Sequence, residues 1–151
     1  MKKILFALLT ISIVSVSIIS CTKNDDALPT TNYTYITSKP WILKSEWAKA
    51  AIDSPWKVID TALPICYRDN ITTFSTNNRF SVDEGKLFCD TNKNASSVVL
   101  SGTWSLQNNQ TTLVTGSSYG SQTFAIEVLN SSYLQVSYND ATGYYRELYM
   151  H

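Results

Sequence analysis

The chain has 151 residues, 44% of them hydrophobic and 16% charged, a balance that excludes a disordered chain and fits one globular domain. Twelve basic residues balance twelve acidic ones, and beyond Lys2-Lys3 there is no basic run, so no nucleic-acid partner is expected. Glycine is scarce, at five, whereas Ser, Thr and Asn are abundant, which favours strands joined by polar turns over helices.

The N-terminus reads as an export signal. Lys2 and Lys3 give a positive start, and Ile4 to Ile19 follow without a charge, too short a run for a span of about 20 residues. Ile18-Ile19-Ser20-Cys21 resembles a lipobox, in which the Cys21 thiol accepts a diacylglycerol and cleavage falls after Ser20. Residues 1–20 are thus expected to be a signal peptide and Cys21 the lipidation site. Two or three acyl chains, at about 0.8 kcal/mol per buried CH₂, anchor stably where one does not. The expected location is the cell envelope, as an outer-membrane lipoprotein facing either the periplasm or the exterior. Lys23 followed by Asp25-Asp26 resembles a short surface-export signal and reads equally well as the start of a soluble linker.

Residues 21–38 read as a flexible tether, within which Tyr33-Thr34-Tyr35-Ile36 could form a short strand. The folded domain is expected over 39–151. From Trp41 the period is two, with Trp41, Leu43, Ser45 and Trp47 on one face and Ile42, Lys44, Glu46 and Ala48 on the other, although Trp47-Ala-Lys-Ala-Ala also permits helix. Residues 54–63 read as loop with a possible helical turn. Ile71 to Ser75 and Arg79 to Val82 are strands about an Asn77-Asn78 turn, since Asn tolerates positive φ. Val98 to Leu106 alternates, with Val98, Leu100, Gly102, Trp104 and Leu106 on one face and Val99 the single apolar exception on the other. Asn108-Asn109-Gln110 turns the chain into Thr111 to Thr115. Ser121 to Leu129 alternates, with Phe124, Ile126 and Val128 on one side, and Leu134, Val136 and Tyr138 line the next strand. Tyr144 to Tyr149 closes the chain. About eight short strands with no long helix between them point to an all-β, antiparallel up-and-down barrel or a sandwich.

With Cys21 lipidated, Cys66 and Cys89 remain. An even pair in an oxidising compartment reads as a disulfide, worth roughly 3 kcal/mol across such a loop. A zinc site lacks ligands, because the only histidine is His151, and a cysteine nucleophile lacks its base.

In order along the chain, these pieces resemble the lipocalin-like lipoproteins of Gram-negative bacteria. The likeness runs through Trp41-Ile-Leu-Lys-Ser, Leu63-Pro64-Ile65-Cys66, Arg68-Asp69-Asn70, Thr73-Phe74, Asn78, Phe80, Cys89 and Ser101-Gly102-Thr103-Trp104-Ser105-Leu106. It continues through Phe124-Ala-Ile-Glu-Val-Leu and Tyr133-Leu134. The resemblance implies a small closed barrel of about eight strands, often with an apolar interior. It also implies that Arg146 packs over Trp41. Trp41 follows Lys39-Pro40, whereas lipocalins proper carry Gly-x-Trp there.

No catalytic constellation stands out, and neither a cofactor nor a metal is expected. Asp83-Glu84 reads as a solvated turn, and Asp69 as the residue of an Asx turn. The pocket candidates are Trp41, Phe74, Phe80, Trp104, Phe124, Tyr138 and Arg146: either they fill the barrel, or they line a pocket for one small hydrophobic ligand. The expectation is a monomeric, membrane-anchored, non-enzymatic binding module. Its rival is a structural or interaction lipoprotein with a filled barrel whose outer face meets a protein or glycan.

Overall fold

The structure, a computed structural model, describes residues 31–62, 64–89 and 98–151. The expected signal peptide, Cys21 and most of the tether lie outside them. The first described element is a helix, α1 (Asn32–Ser38). Nine strands follow: β1 (Trp41–Lys49), β2 (Lys57–Val58), β3 (Ile71–Phe74), β4 (Arg79–Asp83), β5 (Val98–Gln107), β6 (Thr112–Ser117), β7 (Gly120–Leu129), β8 (Tyr133–Asn139) and β9 (Tyr144–Met150). Every pairing is antiparallel. Strands β3 to β9 pair in sequence order, and β1 pairs with both β3 and β9. Eight strands therefore close into an up-and-down barrel, as the alternation and the turn spacing foretell. The two-residue β2 is an addition alongside the C-terminal half of β1.

The turns obey the chemistry of their residues. Asn78 sits at φ 61°, and Asn108, Asn109 and Gln110 sit at 50°, 55° and 65°. Asn adopts this left-handed region readily because its short amide bonds to nearby backbone. Gln110 does not share that ease. Its side chain is held instead by α1: Oε1 accepts the Tyr33 N–H at 3.1 Å, and its carbonyl accepts Asn32 Nδ2 at 2.8 Å.

Helix α1 corrects the reading of residues 33–36 as tether or strand. Thr31 caps it, its hydroxyl accepting the Thr34 N–H. Ile36 is fully buried, and Tyr33 stacks on Trp104 with ring centroids 5.4 Å apart. The helix plugs one end of the barrel, where Trp41 Nε1 donates to the Ile36 carbonyl at 2.9 Å. Seven residues are too few to form a helix alone, so this burial is what stabilises it.

Strand β1 carries a second correction. Its register against β9 slips between Leu43 and Ser45. Such a bulge reverses the alternation beyond it. Trp41 stays buried, but past the bulge it is Glu46 that faces the interior, only 8% exposed, and not Ser45 or Trp47. The core comprises Ile36, Trp41, Phe74, Phe80, Trp104, Leu113, Leu134 and Val136. Between β5 and β6 the strands approach so closely that a Cβ on Gly102 would lie 1.9 Å from the Gly116 carbonyl oxygen and 2.8 Å from the Phe80 ring.

Residues 54–62 hold β2 and a 3-10 turn at Asp60–Ala62. The disulfide is present: Cys66 and Cys89 are bonded, their Cα atoms 5.2 Å apart. It ties the 3-10 turn Ile65–Tyr67 to the segment after β4. Nearby, Asp69 makes no Asx turn. Its Oδ2 accepts the N–H groups of Lys86 and Leu87, at 2.5 and 2.9 Å, and so bridges two loops. Glu84 is no solvated turn either: it is 8% exposed and accepts the Cys89 N–H at 3.2 Å.

Candidate functional site

Inward-facing residues of β3 to β9 surround a cavity of about 300 Å³. That is the lower end of the size range of small-molecule pockets, roughly 300–1,000 Å³. Phe74, Phe80, Val82, Leu100, Leu113, Phe124, Leu134 and Val136 supply its apolar wall, and Ser117, Tyr119 and Gly120 of the β6–β7 turn stand at the end opposite α1. Tyr119 is 87% exposed there. The barrel is thus plugged at the α1 end and hollow above it.

The sequence-chosen residues divide. Phe74, Phe80 and Phe124 line the cavity. Trp41 and Trp104 do not: they are buried in the plug, where the Trp104 ring meets Phe74 edge-on at 5.5 Å and its Nε1 donates to the Ser75 carbonyl at 3.0 Å. Tyr138 is half-buried, edge-on to Phe124 at 5.2 Å and stacked on Tyr145 at 5.1 Å.

Arg146 belongs to neither group. It pairs in register with Trp47 and lies across the barrel wall from the cavity. Its Nη2 donates to Glu127 Oε1 at 3.0 Å, and its Nε lies 2.7 Å from Oε2 but off line for a second hydrogen bond. The guanidinium covers the Trp56 ring at 4.4 Å, and Lys49 Nζ stands 4.8 Å from the same ring. The place over Trp41 that the resemblance gave to Arg146 is taken by His151, its ring centroid 3.9 Å from the indole.

The alternation argument missed the polar part of the interior. Glu147 lines the cavity on β9, and its register partner across β1 is Glu46. Directly opposite residues in an antiparallel pair have Cβ atoms about 4.5–5.5 Å apart, so the two carboxylates are neighbours. Tyr149, also on the cavity wall, donates its hydroxyl to Glu147 Oε2 at 2.6 Å. The Tyr138 hydroxyl faces the same carboxylate from β8. Burial pushes the Glu147 carboxyl above the usual carboxylate range; the charge of Glu46 adds to this, and the two phenol hydroxyls oppose it. Glu46 is raised likewise, by burial and then by Asp60. Burial and the adjacent Glu147 charge hold both phenols protonated.

No basic residue lines the cavity among the described residues. Among them, too, no group of His, Cys, Asp and Glu is arranged to hold a metal ion. No family model and no curated protein matches the chain.

Proposed function

We propose that the chain is an exported, membrane-anchored lipoprotein whose lipocalin-like barrel holds one small hydrophobic molecule without turning it over. The observation that carries this reading is the cavity of about 300 Å³ inside a closed barrel, walled by Phe74, Phe80, Phe124, Leu113, Leu134 and Val136. Interiors pack to crystal density, and a void this large leaves its lining side chains without contact partners. An apolar guest restores those contacts. The anchor follows from the lipobox at Ile18-Ile19-Ser20-Cys21.

A hydrophobic dye titrated into the purified chain tests the pocket. The expected result is saturable, single-site binding, weakened by Phe124→Asn, which puts an amide in the cavity wall while the far-UV spectrum stays unchanged. A flat titration overturns the reading. The anchor is tested separately with an alkyne-labelled fatty acid, which the wild-type chain should incorporate in cells and Cys21→Ser should not.

A further inference from the structure

We infer that the cavity selects an apolar amine: a small hydrophobic molecule whose protonated amino group meets the Glu147 carboxylate on the cavity wall. This rests on the reading of the cavity as a ligand site and adds the chemical class of the ligand. Three observations converge on it. First, among the described residues, Glu147 is the one acidic or basic residue on a cavity wall otherwise made of apolar and neutral polar side chains. Second, Glu46 stands opposite it on β1, so two acids share one end of the interior. Third, the groups that face Glu147 are Glu46 from β1, Tyr138 from β8 and Tyr149 from its own strand, with Asp60 behind Glu46. All are acidic or neutral. The nearby cations are engaged elsewhere: Arg146 and Lys49 lie against Trp56 on the outer face, and Arg68, beside Glu46 and Asp60, donates to the Asp60 backbone carbonyl.

Buried carboxylates are normally paired with a cation, because an isolated charge out of water is costly. Here the protein supplies hydrogen-bond donors but no counter-charge. An alcohol would add one more donor and leave the charge unbalanced. A fatty acid would bring a third carboxylate beside the first two. An ammonium group balances the charge and donates a charge-assisted hydrogen bond, roughly twice as strong as a neutral one. The rest of the molecule then lies against Phe124, Leu134 and Val136, which share the cavity with Glu147.

The test compares octylamine, octanol and octanoate, which share a chain and differ in head group, for binding to the full chain by calorimetry at neutral pH. Octylamine should bind about tenfold tighter than octanol, and octanoate least well. Glu147→Gln should reduce octylamine to the octanol level. A preference for octylamine that survives this substitution overturns the assignment to Glu147. Equal binding of the three, or tighter binding of octanol or octanoate, overturns the amine inference and leaves the apolar pocket standing. Failure of all three and of the dye removes the pocket itself. Should Glu147→Gln not fold, carboxyl-carbon NMR of the wild type decides. Octylamine, but not octanol, should shift two glutamate carboxyl resonances, and no carboxyl response to octylamine overturns the proposal.

Discussion

A single inserted residue decides what the interior can do. Without the slip in β1 near Lys44, Glu46 would point to solvent; with it, Glu46 and Glu147 meet inside the barrel. This pairing has a measurable cost. The folded state holds the Glu147 proton more tightly than the unfolded chain, whose glutamates titrate near 4.5. Stability from this group is therefore greatest at and below that pH and declines as pH rises through the raised folded value. Glu46 acts in the same direction. Glu127 opposes them. Despite partial burial, its hydrogen bonds from Arg146 and Gln135 lower its pKa, so its contribution is present above 4.5 and lost as pH falls through the folded value. The melting temperature should accordingly fall as the pH rises above 4.5. Glu147→Gln, which cannot ionise, should flatten that slope; a slope unchanged in the variant would show that Glu147 is ionised at no cost. Gly102 is a second residue with no tolerance. A methyl there meets the Gly116 backbone carbonyl, which cannot rotate away as a side chain can. Gly102→Ala should destabilise by about 1–3 kcal/mol or more in urea unfolding, as overpacking does.

Among the elements, strands with clean alternation were legible and those relying on distant contacts were not. Val98 to Leu106 reads as a half-buried strand because every second residue is apolar, and β5 spans it. The Asn pairs locate their turns because positive φ favours that side chain. Helix α1 was hidden for the opposite reason. Tyr33-Thr34-Tyr35-Ile36 is β-prone locally, and what makes it helical is the Thr31 cap, the Gln110 contact and the burial of Ile36, two of which come from elsewhere in the chain. The bulge in β1 was equally silent, since it involves no Gly or Pro and shows only against β9. With it went Glu46, and Glu147 drew no notice as an isolated acid in a tyrosine-rich strand. The aromatic cavity residues were found by period alone, whereas period could not separate plug from pocket. The role of α1 has its own test. Ile36→Ala leaves a hole beneath Trp41 and should cost about 2–5 kcal/mol, a typical range for buried Ile to Ala. If the variant unfolds at the wild-type urea midpoint, the helix is not part of the cooperative fold.

At the scale of the whole barrel, the two ends have divided the work. Packing is concentrated where α1, Trp41, Phe74 and Trp104 meet, so that end supplies stability. The other end keeps its volume open between β6, β7 and β9. The cavity wall shares Phe74, Phe80, Leu113, Leu134 and Val136 with the core, but the open volume it encloses should be fillable without unfolding the protein. Thr115 offers the means. It pairs with Trp104 across β5 and β6, which places it on the inward face, and it lines the cavity. Replacing it with Phe fills space that is empty, so the added ring gains contacts instead of displacing neighbours. Thr115→Phe should hold or raise the melting temperature while abolishing dye and octylamine binding together. Were the interior already filled, the same substitution would instead overpack it, with a cost of about 1–3 kcal/mol and no binding to lose. The sign of the stability change, measured beside the loss of binding, thus distinguishes a hollow barrel from a solid one.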